Sequence, residues 1–167
     1  MNIAETNLNT VWTRGWDAAG GGGIWEQIGS GNENQRSILA IGTFIITGAA
    51  LYQATGNASY LSEAETAYAW ARANVFNTTS STNAIGAPGH IDEGLTDTEA
   101  LQKSSHIYNH GLMLESAAAL YTSTNNVMYF DDAKLIARYV IGKWPTMTEQ
   151  SDMFTRGLSN FAAQYNL

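Results

Sequence analysis

The chain has 167 residues, 44% of them hydrophobic and only 14% charged, with no cysteine and a formal net charge of -7. That length supplies one domain with a real core rather than two of ordinary size, and the balance is globular rather than disordered. The acidic excess argues against nucleic acid or an anionic membrane surface as partner, since both need clustered cations, and the missing cysteine removes disulfides and thiolate metal sites.

In chain order, Ile3 to Arg14 carries Ile3, Ala4, Leu8, Val11 and Trp12 on one face of an amphipathic helix, with no convincing cap before it, as though begun mid-element. The first residues, MNIAETNLNT, lack the basic and apolar regions of a secretory signal, so no signal peptide is expected. Gly15 to Trp25 follows, GWDAAGGGGIW, whose glycine run favours positive φ and close backbone approach over helix. A long helix is expected from Asn32 to Ala54 and its partner from Ala58 to Asn74. Phe76 to Ser104 is a long polar connection, of the length that tends to be functional or to cover an opening, and His90 to Leu95 within it reads as a short strand or turn. A second hairpin runs from Ser105 to Lys143, ended by Trp144-Pro145, and a last helix, Asp152 to Tyr165, carries Phe154, Leu158, Phe161 and Ala162 at helical spacing. No run of about eighteen apolar residues stands out, so no membrane span is expected. Two sequons, Asn57-Ala58-Ser59 and Asn77-Thr78-Thr79, hint at a secreted origin.

Part of the chain is written twice. Gly42 to Ala64 returns, moved on by 69 residues, as Gly111 to Ala133: Leu51-Tyr52 becomes Leu120-Tyr121, Thr55 becomes Thr124, Asn57 becomes Asn126 and Tyr60 becomes Tyr129. Each copy is an Ala-rich apolar helix, a polar break and a second helix, so residues 36–74 and 105–143 are read as repeated helical hairpins within one domain, 1–167. Such a hairpin cannot bury its own apolar face and must stack with copies of itself. About six helices, with large loops gathered at one end of the hairpins, predict an all-α fold of the α/α toroid type with a cleft at that end.

The order Arg14-Gly15-Trp16-Asp17, Gly21-Gly22-Gly23-Ile24-Trp25, Leu51-Tyr52 with Thr55-Gly56-Asn57 and Tyr60-Leu61, Tyr108-Asn109-His110-Gly111 and Phe154-Thr155-Arg156-Gly157 resembles glycoside hydrolase family 76, over nearly the whole chain. The resemblance implies an (α/α)6 barrel, here a partial one, an endo-α-1,6-mannanase type of activity on mannan or manno-oligosaccharide, and a secreted or cell-surface location. It also implies a retaining mechanism with two neighbouring aspartates, the family's pair lying upstream of the glycine-rich Ile-Trp segment. Such chemistry needs two carboxyls roughly 5 Å apart, one ionised and one protonated. No Asp-Asp stands before Trp16. Asp131-Asp132 is the only adjacent pair, and at the repeat offset it falls on Ser62-Glu63 in the opening of a second helix, where acidic residues act as caps. No catalytic residue is therefore assigned. A fragment, a divergent short relative, or two copies completing one ring all fit the half-barrel count, and a non-catalytic carbohydrate-binding or helical interaction module is the alternative function.

Trp16, Asp17 and Trp25 flank the glycines. As core and turn residues they need no function; as cleft residues they offer aromatic faces and a carboxylate to a pyranose, with Gly22 and Gly23 admitting it close to the backbone, and the resemblance favours the second role. Tyr108, Asn109 and His110 open the second hairpin, in place of Leu39, Ala40 and Ile41 in the first, and are expected to bond sugar hydroxyls, with His110 standing where the resemblance gives Gln and titrating near neutrality. His106 and His110 share a helical face, a carboxylate ligand would have to come from elsewhere, with Asp92 the candidate, and no His-Glu-x-x-His pattern is present, so neither metal nor cofactor is expected. Arg156 either reaches the cleft or is a solvated cation. No Gly-x-Ser-x-Gly elbow and no nucleotide-type glycine loop is present.

Overall fold

Among the residues that the computed structural model describes, 2–29, 35–78 and 87–143, five helices and three short strands follow one another. Helix α1, Ile3–Gly15, starts on a capping box, contrary to expectation: the Asn2 side chain accepts from the Glu5 N–H at 3.0 Å while the Glu5 carboxylate accepts from the Asn2 N–H at 2.7 Å. Strand β1, Gln35–Ser37, precedes α2, Ile38–Thr55. The helix expected from Asn32 thus begins at Ile38, because Arg36 pairs in a β ladder and the Ser37 hydroxyl caps the Ala40 N–H.

Helix α3 is Ala58–Asn74; strands β2, Gly94–Thr96, and β3, Leu101–Gln102, then lead to α4, Ile107–Thr124, and α5, Val127–Lys143. Adding 69 to 38, 55, 58 and 74 gives 107, 124, 127 and 143, so the four helix boundaries of one hairpin are those of the other. The turns agree bond for bond. Thr55 Oγ1 donates to the Leu51 carbonyl and accepts from the Asn57 N–H, and the Asn57 side chain caps the Ser59 N–H at 3.1 Å. Thr124, Asn126 and Met128 repeat that set, and the left-handed residue between is Gly56 at φ 71° in one turn and Asn125 at φ 56° in the other.

Helices α2 and α4 lie side by side, with α3 backing α2 and α5 backing α4. This is the two-layer stacking of consecutive hairpins in an α/α toroid, present here as a partial barrel. A Cβ added at Gly42 would stand 2.7 Å from Leu112 Cβ, so the close crossing of α2 and α4 depends on that glycine. By length and composition α2, with mean hydropathy 1.5, is long and apolar enough to cross a membrane. Its Ile38, Ile41, Phe44, Ile45, Ala49 and Leu51 are buried in the core it shares with Tyr68, Trp70, Met113, Leu120 and Ile136.

A three-stranded antiparallel sheet, β1-β2-β3, interrupts the all-helical expectation, pairing Arg36 with Leu95, Ser37 with Gly94 and Leu95 with Leu101. It lies immediately ahead of α2 and α4. Asp131 and Asp132 fall in the second turn of α5, not its first, so the capping expectation is corrected. Asp131 is exposed, whereas buried Asp132 takes hydrogen bonds from Arg72 Nε at 2.7 Å and Tyr68 Oη at 3.1 Å on α3. The sixth expected helix, Asp152 to Tyr165, with Arg156, lies outside the described residues.

Candidate functional site

The glycine segment folds into a tight hairpin after α1. The Asp17 N–H donates to the Gly23 carbonyl at 2.9 Å, the Gly22 N–H donates to the Asp17 carbonyl at 2.8 Å, and the Asp17 carboxylate accepts from the Gly20 N–H at 2.8 Å. Trp16 then bridges to Ile24, and Trp25 to Arg36 on β1. Gly22 and Gly23 have φ near 99° and 93°, and any Cβ there would meet Trp70, Trp16 or the Arg36 stem within 2.9 Å. What comes close to these glycines is the indole of Trp70.

Arg36, which the sequence reading did not single out, is the hub of this hairpin and is fully buried. Its guanidinium donates to the carbonyls of Gly20 at 2.8 Å, Gly22 at 3.0 Å and Thr96 at 3.3 Å, and pairs with the carboxylates of Asp17 and Glu99. It also lies over Trp25, 5.0 Å from the ring centroid, and over Trp70 at 5.7 Å. A lone arginine inside the polar run NENQRS looks like a solvated charge, and only the pairing with β2, some sixty residues later, buries it. Trp16 stacks at 4.6 Å on Trp12, which in turn stacks on Phe44. Trp16, Asp17 and Trp25 all keep part of their surface exposed.

The second group stands at the start of α4. Tyr108 Oη lies 2.8 Å from both carboxylate oxygens of Glu93, and its ring stacks on His106 with centroids 5.3 Å apart. Burial first, then the bond to Glu93 and the charges of Glu93 and Glu26, push the Tyr108 phenol up to about 12. Asn109 is completely buried, and among the described residues neither its amide nitrogen nor its amide oxygen has a hydrogen-bond partner.

His110 corrects an expectation. Its Nε2 accepts from the Ile91 N–H at 3.2 Å and its Nδ1 lies 3.1 Å from the His106 carbonyl, which makes it a neutral imidazole protonated on Nδ1. Burial, the largest cause, lowers its pKa to about 4, so it does not titrate near neutrality. Its ring stacks on Tyr139, whose hydroxyl bonds His90, which in turn bonds buried Asp92. His106 instead turns to Tyr108 and Glu93, so the two histidines do not converge. Among the described residues no three His, Asp or Glu side chains gather so as to hold a metal ion.

The sheet joins the two groups. The Ile38 N–H donates to the Glu93 carbonyl at 2.9 Å, and the Glu26 N–H, next to Trp25, donates to the Gln35 carbonyl at 2.9 Å. All eight predicted site residues therefore belong to the end of the molecule where α2 and α4 begin. This end, the mouth, carries partly exposed Asp17, exposed Glu26 and Glu99, and buried Glu93. A separate cavity of about 490 Å³ runs between α1 and α2, lined mainly by apolar groups including Leu8, Val11, Ile24, Ile28 and Phe44, with Trp25 and Glu26 on its wall.

Comparison with known proteins bears on this mouth. The model of glycosyl hydrolase family 76 matches residues 1–160. The mannan endo-1,6-alpha-mannosidase DFG5 of Saccharomyces cerevisiae is 31% identical over 128 residues, 75% of this chain and 27% of that protein. An alpha-mannanase of the same family from Bacteroides thetaiotaomicron superposes with a TM-score of 0.72 at 22% identity, over 84% of this chain and 37% of that one. An inactive variant of an alpha-1,6-mannanase from a Salegentibacter species, with two consecutive aspartates replaced by asparagine and solved with alpha-1,6-mannotriose, gives 0.70 at 23% identity, over 83% of this chain and 39% of that one. The chain thus spans well under half the length of each.

Proposed function

The chain belongs to glycosyl hydrolase family 76, and from that premise we propose that it forms part of the glycan cleft of an enzyme hydrolysing α-1,6-mannan. Trp16, Asp17, Trp25 and Tyr108 line the cleft in this reading, Gly22 and Gly23 shape its backbone, and buried Asn109 and neutral His110 stand behind them in the first turn of α4. The observation that carries it is the convergence of two aromatic and polar groups, far apart in the chain, on one small sheet at the mouth of the stacked hairpins. The partly exposed rings of Trp25 and Tyr108 suit the apolar side of a pyranose, while Asn109, fully buried behind Tyr108, does not itself reach a hydroxyl.

Cleavage is a separate matter. In the Salegentibacter protein the inactive variant has lost two consecutive aspartates. Asp131-Asp132 offers no equivalent, because Asp132 is spent on Arg72 and Tyr68 between two backing helices. We assign this chain to holding the glycan, with the reacting carboxyls supplied from elsewhere in the barrel. Residues 1–167 form one domain built on the repeat 36–74 and 105–143, and the location is secreted or cell-surface. The apolar cavity beside α1 favours a second reading, in which another part of the same barrel, or a second copy of this chain, packs there.

The test is titration of the full chain with α-1,6-mannotriose, followed by tryptophan fluorescence, alongside digestion of yeast mannan. Saturable quenching with no mannan digestion is the expected result. Absence of any fluorescence or calorimetric response would remove the cleft reading and leave the helical module.

A further inference from the structure

Tyr108 and Glu93 make an arrangement that the family assignment does not explain. A phenol has one proton to give, and here both oxygens within reach, at 2.8 Å, belong to one carboxylate that can only accept. The Tyr108 proton is therefore committed inward. Glu93 is held still to receive it: it is only 7% exposed, its N–H donates to the carbonyls of Gln102 and Ser104, and its own carbonyl takes the Ile38 N–H. Tyr108 itself is 40% exposed at the mouth, with His106 stacked flat against its ring. The oxygen it shows outward has lone pairs and no hydrogen.

The electrostatics agree. The charges of Glu93 and Glu26 both oppose ionisation of this phenol. Among the described residues no arginine or lysine figures among the charges acting on Tyr108, and Arg36, on the strand paired with β2, is fully buried with its charge answered by Asp17 and Glu99. A group approaching Tyr108 must donate a hydrogen bond and must not bring a negative charge.

We infer that Glu93 is a positioning residue that makes Tyr108 a hydrogen-bond acceptor, so that this position takes a neutral sugar hydroxyl and turns away a sugar bearing a phosphate monoester or a carboxylate. The inference rests on the glycan-cleft reading and adds to it a filter on ligand charge. In Glu93→Gln the shape is kept and the charge is gone, and one of the two acceptor oxygens facing Tyr108 Oη becomes an N–H donor, so the phenol proton is no longer held inward by two acceptors.

The experiment uses the full chain and two probes, α-1,6-mannotriose and the same trisaccharide carrying one phosphate monoester. The wild type is expected to favour the neutral probe by about tenfold or more, Glu93→Gln to bring the ratio near parity, and Tyr108→Phe to weaken the neutral probe about fivefold. Ultraviolet titration without ligand supplies an independent readout: a phenol near 12 should move down toward 10 in Glu93→Gln, and be missing from Tyr108→Phe. A merely structural role for Glu93 would lower both affinities together and leave their ratio alone, which overturns the inference. Unchanged mannotriose binding in Tyr108→Phe also overturns it, while sparing the cleft reading. Failure of the wild type to bind mannotriose removes the cleft reading and this inference with it. Should Glu93→Gln not fold, the Tyr108→Phe arm decides.

Discussion

Arg36 shows how much a single buried charge holds together. Its guanidinium takes five oxygens from two stretches of chain, the glycine hairpin and the end of β2 with the turn after it, and lies over Trp25. Arg36→Met leaves the Asp17 carboxylate and several carbonyls unanswered, and is expected to cost about 3 to 5 kcal/mol in urea unfolding. Arg36→Lys should recover little, because only the planar fork reaches all these acceptors. His110 makes a prediction about pH. Its pKa lies near 4 in the folded protein against an ordinary value of 6.5, so the unfolded chain binds the proton first. The stability that neutral His110 supports is complete above pH 6.5 and falls as pH drops toward 4, by roughly 3 kcal/mol at most. In His110→Gln the fall in the urea midpoint between pH 7 and 4.5 should be visibly smaller. Neither residue's state was legible beforehand. Arg36 is buried by a strand sixty residues on, and His110 is kept neutral chiefly by its burial, which helical spacing cannot reveal.

At the scale of elements the sequence spoke more clearly. The breaks Thr55-Gly56-Asn57 and Thr124-Asn125-Asn126 carry their turn chemistry in the residues themselves, through a hydroxyl, a left-handed position and an Asn cap, so both hairpins were placed closely. The start of α2 was misplaced because β1 owes its form to a partner strand, not to local preference. Asp131 and Asp132 separate two outcomes that adjacency blurs. Asp132→Asn breaks the tie between α5 and α3 and is expected to cost roughly 1 to 2 kcal/mol, a range lowered because Arg72 is about one-third exposed and partly screened. Asp131→Asn should stay within about 0.5 kcal/mol. Gly42→Ala drives a methyl into Leu112 where α2 crosses α4, and a loss of about 1 to 3 kcal/mol in thermal unfolding is expected.

For the whole molecule, a mainly apolar cavity of about 490 Å³ lies between α1 and α2, and Ile3 at the head of α1 is 81% exposed. Covering that face would stabilise it by about 25 cal/mol per Å² removed from water. The isolated chain is expected to bind a hydrophobic dye and to associate as its concentration rises; sedimentation as a monomer, with no dye signal, would rule this out. Stacked hairpins were legible from the repeat alone, since two copies of a unit that cannot bury itself must lie together. The mouth was legible only as two separate motifs, and the sheet that joins them had no periodicity of its own to announce it.

The shared boundaries of the two hairpins have one more consequence. Where α4 opens with Tyr108-Asn109-His110, α2 opens with Leu39-Ala40-Ile41 on the same scaffold and ends in the same turn, although Ser37 caps α2 through its hydroxyl and His106 gives α4 no side-chain cap. The molecule therefore contains its own blank: a duplicated stave whose tip was left greasy while its twin's became chemical. Transplanting tyrosine into the half-open Leu39 position alters neither turn nor cap, and offers a way to ask how many grips on a sugar chain one rim can carry.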